Sequence, residues 1–334
     1  MCTLIKDNIL ENLGTVIHSN AKRFAKGDKI VVKAHLGEYG NLNYVRPPII
    51  ECIVSALKKS GMNPVIFDTP SWYDGHRHSA KDYLDTARKN GFTKETMGCP
   101  IIISDDSISV KGKKHLDIVN VAKEIHDADG MIVVSHFKGH MCASFGGAIK
   151  NLGMGAVNSE TKKAMHVMSQ PEVTGECKGC KTCESVCKVG AITVENNIAQ
   201  IDDDSCYGCC VCAQECPNNA IQGDIGLIQK LLAESSACVL DSFDKKKLIF
   251  VNVLQSISAL CDCATDFGNI ICPDIGVVVS DNIVKADKCS LDLANKAAGC
   301  DIFKKTNHLD PDIQIDAAIE YGLGSPEYKL HELS

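Results

Sequence analysis

Short apolar runs alternate with amphipathic stretches along the first half of the chain. Lys29-Ile-Val-Val-Lys33 is an apolar run leading to His35, the pattern of a buried strand. Pro47 to Lys59 follows, with proline at its start and Gly61 just past its end, which are helix boundary signals. Pro64-Val-Ile-Phe-Asp68 predicts a second strand, followed by a polar loop and a helix near Ser79 to Lys89. Pro100-Ile-Ile-Ile-Ser104 predicts a third strand, Asp117 to His126 a mostly helical stretch, and Gly130-Met-Ile-Val-Val-Ser135 a fourth strand. The same grammar resumes late in the chain. Gly226 to Cys238 is expected to be helical, Lys247 to Val253 and Gly276 to Ser280 to be strands, and Ile283 to Ala298 and Asp312 to Tyr321 to be helices. Strands alternating with helices predict an α/β fold, a mostly parallel sheet flanked by helices. Neither flank alone makes a complete core. The simplest architecture is one α/β domain in two parts, residues 1–170 and 225–334, with residues 171–224 inserted between them as a small α+β module.

The inserted segment is set apart by cysteine. The chain has 334 residues and 19 cysteines, dense for a protein that is neither short nor visibly secreted. Eight fall into two blocks of identical spacing, Cys177-x2-Cys180-x2-Cys183-x3-Cys187 and Cys206-x2-Cys209-x2-Cys212-x3-Cys216, the second followed by Pro217. Every cysteine of the first block recurs 29 residues later, and the repeat runs on through Ala191-Ile192 and Ala220-Ile221. Each half of this duplication should supply a ligand loop, a short helical turn and a small strand. Two intervening residues let a tight loop place three thiolates on three corners of a cubane, while the fourth cysteine reaches the other cluster. Cys177, Cys180, Cys183 and Cys216 are therefore expected to hold one [4Fe–4S] cluster, and Cys206, Cys209, Cys212 and Cys187 a second. Two interleaved four-cysteine blocks without histidine are not a common zinc spacing. Cys210, beside Cys209, is expected to be a spare thiol. Over about Glu176 to Asp224 the segment resembles bacterial two-cluster ferredoxins, departing where Lys188 replaces the proline that usually follows the first block.

Composition narrows the function classes. With 45% hydrophobic and 23% charged residues the chain is an ordinary globular protein. A formal net charge of −7 argues against nucleic acid as a partner. No basic leader or twin arginine opens the sequence, and no apolar run approaches the roughly 18 residues that span a bilayer, so a cytoplasmic protein without a membrane segment is expected. Thiols at this density suggest an anaerobic host, since exposed thiols oxidise. From Pro171 to Asp224 there are three lysines and nine acidic residues, a net charge of −6. An acidic module suits docking to a basic redox partner protein.

Chemistry is also concentrated outside the cysteine blocks. In open α/β sheets ligands lie at the carboxyl ends of the strands. Ser135-His-Phe-Lys-Gly-His140 stands at such an end and runs into Ser144-Phe-Gly-Gly-Ala-Ile-Lys150-Asn151-Leu-Gly153, a glycine-rich stretch entering a helix. Its backbone amides, with Lys138 and Lys150, could hold an anionic substrate or cofactor, although the glycines match no nucleotide fingerprint. His136 and His140 could transfer protons or ligate a metal, or could be a surface pair. Cys261-Asp262-Cys263, with Asp266 and Asp274 downstream, offers thiolate ligands for an additional soft metal or a redox pair. Lys33, His35, Asp68, Thr69, Asp281 and Asp287, taken singly, read as structural or surface residues.

Together the flanks resemble the family known as domain of unknown function 362, many members of which carry a ferredoxin insert. The resemblance rests on Lys138-Gly-His140, Gly147-Ala-Ile-Lys150-Asn151, Cys261-Asp262-Cys263, Pro273-Asp274-Ile275-Gly276, Asp281 and Asp287. Lys33-Ala-His35 departs from the more usual Lys-Pro-Asn. The resemblance implies the architecture rather than the reaction. The leading expectation is an iron–sulfur redox protein whose clusters pass electrons to a site in the α/β domain. There Lys138, His140 and Lys150 would bind an anion, and Cys261, Asp262 and Cys263 would complete the catalytic groups. The other readings are a ferredoxin-like electron carrier without turnover, and a maturation factor that delivers a metal or cofactor.

Overall fold

The computed structural model describes residues 1–243 and 247–333. Its centre is one eight-stranded sheet. In chain order the strands are β1 (Cys2–Ile5), β2 (Lys29–Ala34), β3 (Asn63–Asp68), β4 (Ile101–Ile103), β5 (Gly130–His136), β6 (Leu248–Leu254), β7 (Gly276–Ser280) and β8 (Leu330–Leu333). Their spatial order is β8-β1-β7-β6-β5-β2-β3-β4. Pairing is parallel from β6 through β5, β2 and β3 to β4, while β7 runs antiparallel to both of its neighbours. The fold class is thus α/β with a mostly parallel sheet, assembled from segments on both sides of the cysteine-rich stretch.

The central strands read as continuous apolar runs because both of their faces are covered. Val31, Met131, Val133, Phe250 and Val278 point to one side, while Ile30, Val32, Ile132, Val134, Val251 and Val279 point to the other. Helices α1 (Ile9–Ala21), α2 (Pro47–Lys59) and α3 (Ala80–Lys89) cover the second face. Helices α4 (Ala148–Gly155), α5 (Leu227–Leu240) and α6 (Ile283–Ala298) cover the first.

One expected element is different. Asp117 to His126 is not mostly helical: Ile118–Ala122 is a strand paired antiparallel with Ser107–Lys111, and only Lys123–His126 makes a helical turn. The cause is the β-branched alternation Ile118-Val-Asn-Val121, which buries Val119 and Val121 and leaves Ile118 outside. Among the described residues no helix is long and apolar enough to cross a membrane.

The cysteine-rich stretch packs around its own small core of Ile192, Val194, Ala199 and Ile221 with Cys183 and Cys212. Helical turns Thr182–Val186 and Val211–Gln214 occupy equivalent places in its two halves. The duplication extends to the backbone. Gly179 and Gly208, Lys181 and Cys210, and Gly190 and Asn219 all have positive φ, and each pair is 29 residues apart.

Candidate functional site

The two cysteine blocks interleave in space. Burial pushes the Cys183 thiol up, and the charges of Cys177, Cys216 and Cys180 add to it, so these four sulfurs converge. Burial likewise raises Cys206, with Cys209 and Cys187 as its nearest thiol influences. Backbone amides point at the sulfurs: Ala191 N donates to Cys187 Sγ at 3.2 Å, and its counterpart Ala220 N donates to Cys216 Sγ at 3.3 Å. A cavity of about 250 Å³ has Cys187, Cys206, Cys209 and Cys212 in its wall beside apolar Val186, Ile192 and Val211. Convergent thiols, amide donors to sulfur and an apolar enclosure are the features that iron–sulfur centres require. Cys210 also borders this cavity, but its thiol is engaged, donating from Sγ to the Ser169 carbonyl at 3.2 Å.

The second block lies against the α/β domain. Cys142 is within hydrogen-bonding reach of Cys209. His166 Nδ1 bonds to the Tyr207 carbonyl at 2.9 Å. Lys188, the departure from the ferredoxin pattern, donates to Asn307 Oδ1 at 3.1 Å, so its side chain ties the cysteine-rich segment to its neighbour.

A second cavity, of about 420 Å³, opens at the carboxyl ends of β2, β3 and β5. Lys33 and His35 come from the end of β2, Asp68 and Thr69 from β3, and Ser135 and His136 from β5. Lys138 and His140 follow β5, α4 contributes Lys150 and Asn151, and the long loop after β6 brings Cys261, Asp262 and Cys263. The structure therefore brings together Lys138, His140, Lys150, Cys261, Asp262 and Cys263, the six residues expected to act as one site.

Three buried ion pairs organise this cavity. Lys33 Nζ lies 2.9 Å from Asp68 Oδ1, Lys138 Nζ 3.0 Å from Asp262 Oδ1, and Arg77 Nε 2.9 Å from Glu38 Oε2. Burial works against the Asp262 charge, but Lys138, His35 and His136 outweigh it and hold the carboxyl well below its usual range. Asp262 thus positions three cations or potential cations rather than acting as a base. Lys150 and Lys162 have no carboxylate contact among the described residues. Lys162, whose pKa burial lowers to about 7, donates to Thr69 Oγ1 at 2.6 Å. His136 Nδ1 and His35 Nδ1 each lie 3.6 Å from Asp262 Oδ2, while His35 Nε2 and Trp72 Nε1 are buried in the lining with no hydrogen-bond partner among the described residues. Unpaired buried polar groups converging on one space mark a place for a polar ligand or for water.

The thiols sit at one side. Cys261, Cys263 and His140 present donor atoms within 4.8 Å of one another. Cys263 N donates to Cys261 Sγ at 3.3 Å, and Lys150 Nζ approaches the same sulfur at 3.9 Å. His140 is no surface residue: it is buried, and its Nδ1 accepts from the amides of Cys142 and Ala143, both at 3.2 Å. His136 is also buried and bonds through Nε2 to the Gln255 carbonyl.

Two expectations need correction. The amides that open α4 do not hold an external anion, because Asp287 of α6 already fills that place. Its carboxylate accepts from Ala148 N at 2.7 Å and Ile149 N at 2.9 Å. A Cβ on Gly147 would lie 2.5 Å from Asp287 Oδ1, which is why glycine stands there. Asp266 and Asp274 do not complete a cysteine site, since they bond to the amides of Gly268 and Ser256 instead. Lys162 and the wall of Trp72, Tyr73 and Arg77 join the site without a sequence motif to announce them. The one signal for the wall is the run of aromatic and basic residues in Trp72-Tyr-Asp-Gly-His-Arg-His78, whose composition otherwise reads as a polar loop.

Comparison with known proteins adds the family and the nature of the module. A 46-residue stretch is 46% identical to a subunit of the ion-translocating oxidoreductase complex of Methanosarcina acetivorans, covering 14% of this chain and 17% of that protein. A 35-residue stretch is 57% identical to a subunit of the Na(+)-translocating ferredoxin:NAD(+) oxidoreductase complex of Acetobacterium woodii, 10% of each chain. A 47-residue stretch is 47% identical to pyruvate synthase subunit PorD of Methanocaldococcus jannaschii, covering 14% of this chain and 55% of that one. The chain thus spans only a small part to about half of each relative. A solved Thermotoga maritima structure is similar over 74% of this chain and 51% of its own, at 10% identity and a TM-score of 0.45. The lactate racemase apoprotein of Thermoanaerobacterium thermosaccharolyticum is similar over 76% and 51%, at 11% identity and a TM-score of 0.40. The short matches support an iron–sulfur ferredoxin module, and with it iron–sulfur electron transfer. The match to the family described as Domain of unknown function (DUF362) runs over residues 30–292, most of the sequence, and the chain belongs to that family.

Proposed function

We propose that this chain is an iron–sulfur oxidoreductase. Cys177, Cys180, Cys183 and Cys216 hold one [4Fe–4S] cluster, and Cys206, Cys209, Cys212 and Cys187 hold a second. The cavity of the α/β domain binds the substrate or cofactor that takes up their electrons. Clusters of this kind supply one electron at a time. The observation that carries the reading is a shared wall: Met141, Cys142 and Tyr207 line both the cavity bounded by the second cysteine set and the cavity that holds Lys138, His140 and Cys261. A redox site one layer of side chains away from a ligand cavity is what such a reaction needs, and a plain electron carrier has no use for it.

Residues 171–224 then form an inserted electron-entry module. Cys180 is exposed, and the segment's charge of −6 favours a basic redox partner protein. The three relatives are each named as subunits of larger enzymes, in keeping with such a partner. Within the cavity, Lys138 and Lys150 favour an anionic ligand, Asp262 orients Lys138, and the neutral His140 ring is placed to donate a hydrogen bond beside Cys261 and Cys263. Anaerobically purified protein is expected to contain about eight irons and eight labile sulfides per chain. After dithionite reduction it should show the paramagnetic resonance signal of two interacting clusters. About four irons, or iron unchanged in both Cys180→Ser and Cys209→Ser, overturns the reading.

A further inference from the structure

We propose that Cys261 and Cys263 form a redox-active dithiol that reduces a small disulfide bearing carboxylate groups, with Cys263 as the attacking sulfur and Cys261 as the resolving one. This deepens the function proposed above, and rests on it only for the electrons that later restore the dithiol.

These sulfurs are not arranged to hold a metal ion. His140, Cys261 and Cys263 lie close enough to share a metal ion. Yet Nδ1 of His140 accepts two backbone N–H groups, so in the neutral ring the proton sits on Nε2. A metal-bound histidine has the opposite arrangement, with its second nitrogen donating. Without histidine two thiolates remain beside Asp262, whose carboxylate is held by Lys138 at 3.0 Å, and the downstream carboxylates are engaged with Gly268 and Ser256. Two ligands do not close a structural metal site. His140 is instead a neutral ring, its pKa lowered to about 4 by burial, whose Nε2–H is left to donate a hydrogen bond toward the thiols.

The two sulfurs take different roles. Cys261 is buried, and its sulfur is fixed by the Cys263 amide and approached by Lys150. Cys263 is the less buried of the two and lines the open cavity, so it is the sulfur that a ligand can reach. The thiol energetics agree. The hydrogen bond from Cys261 brings Cys263 down to about 6, with Lys150 and Arg77 helping, while burial pushes Cys261 up to about 12. One sulfur is therefore a thiolate near neutrality, and its neighbour keeps its proton.

The substrate class follows from the lining of the cavity. Among the described residues Lys150 lacks a carboxylate partner, and Trp72 Nε1, which can only donate, has no acceptor. The Lys150 charge without a carboxylate and the free Trp72 N–H in a cavity of about 420 Å³ call for a small acidic molecule. In the reaction the Cys263 thiolate attacks one sulfur of R–S–S–R, forming a mixed disulfide and releasing RS⁻. The Cys261 thiol then attacks Cys263 Sγ, forming the Cys261–Cys263 disulfide and releasing the second RS⁻. The proton from Cys261 ends on one of the released thiolates. The dithiol loses two electrons and the substrate disulfide gains them.

The test uses intact protein under anaerobic conditions, 3,3′-dithiodipropionate as the acidic probe and 2-hydroxyethyl disulfide as its neutral counterpart. Peptide mapping after alkylation of free thiols should find the segment holding Cys261 and Cys263 lighter by the two hydrogens of a disulfide, with Cys272 still alkylated. Cys261→Ser should trap the probe on Cys263, and Cys263→Ser should give no adduct at Cys261. The acidic probe should react at least about tenfold faster than the neutral one, the size expected of one charge-assisted contact. Lys150→Met should narrow that ratio. Free thiols at both positions in probe-treated wild type overturn the proposal without recourse to any variant. So does a metal other than iron that is lost on Cys261→Ser, and equal rates for the two probes overturn the substrate class. A Cys261–Cys263 disulfide in protein lacking iron sustains this proposal while refuting the electron-transfer reading. Iron-replete protein with both thiols inert does the reverse.

Discussion

Lys33 and Asp68 form the floor of the α/β cavity, and their energetics decide whether that floor is chemistry or architecture. Lys33 is wholly buried. Its ammonium group lies 2.9 Å from Asp68 Oδ1 and donates to Asn151 Oδ1 at 2.6 Å. A Cβ on Gly155 would come within 2.5 Å of Nζ, so the backbone closes that side. Asp68 in turn accepts from Tyr83 OH at 2.5 Å and from Thr69 N at 2.9 Å. Asp68→Ala leaves a buried ammonium with one acceptor and a buried phenol with none. Removing one member of a buried pair costs about 3–5 kcal/mol. Lys33 can shed part of that cost by losing its proton, since burial already lowers its pKa. The net expectation is about 4 kcal/mol of lost stability.

Removing both charges is different. Lys33→Met with Asp68→Leu replaces the pair by apolar groups of similar volume and should come within about 1–2 kcal/mol of wild type. The double variant is therefore expected to be about 2–3 kcal/mol more stable than the Asp68 single variant, read from urea unfolding of anaerobic protein at neutral pH. For Asp68, burial alone would raise the pKa, but Lys33, His35 and Lys162 lower it overall. Its contribution is thus present above the ordinary carboxylate range and is lost as pH falls through the lowered value. Asp68→Ala costing under about 1 kcal/mol, or a double variant as unstable as the single, would refute the assignment of this pair to architecture.

Three further outcomes follow from the geometry. Glu234 accepts from the amides of Lys113, Lys114, His115 and Leu116, which hold its carboxyl down at about 2 against the effect of burial. Its stabilisation is present above the ordinary glutamate pKa and is lost as pH falls toward 2. Glu234→Gln should therefore cost about 2 kcal/mol at pH 7 and flatten the acid limb of a Tm-against-pH curve. Cys210→Ser keeps a hydroxyl to donate to Ser169, so iron and sulfide content should match wild type, whereas Cys209→Ser should lose iron. Gly147→Ala drives a methyl into Asp287 Oδ1 and pulls the carboxylate from the amides of α4, a loss of about 2–3 kcal/mol measurable by denaturant midpoint.

What the sequence discloses is what it encodes locally. The helix Pro47–Lys59 is legible because its start and stop are both written in neighbouring residues, proline at the first turn and Gly61 beyond the last. The cysteine blocks are legible because cluster ligation fixes spacing, and the repeat at 29 residues survives as matched backbone angles in both halves. Strand Ile118–Ala122 is masked in the sequence because its β-branched alternation is embedded among polar residues, and its partner Ser107–Lys111 supplies the deciding hydrogen bonds. The pairing of β1 with β8 joins residues near opposite ends of the chain, and no local pattern announces it.

The glycine-rich stretch before α4 shows the limit most sharply. Read alone, glycines and amides at a helix start look like an anion cradle, and the inference that an anion belongs there is physically right. The anion is Asp287, 139 residues away in sequence, so the chain answers its own electrostatic demand and the cradle is closed to ligands. Lys138 finds its counterion in Asp262, but Lys150 has no such answer. Lys150 lies in the first turn of the same helix, finds no carboxylate among the described residues, and approaches Cys261 instead. One carboxylate therefore divides a single motif into a structural half and a reactive half. The reactive half is the one whose charge remains unmatched beside the two thiols, which is where an anionic ligand gains most from binding.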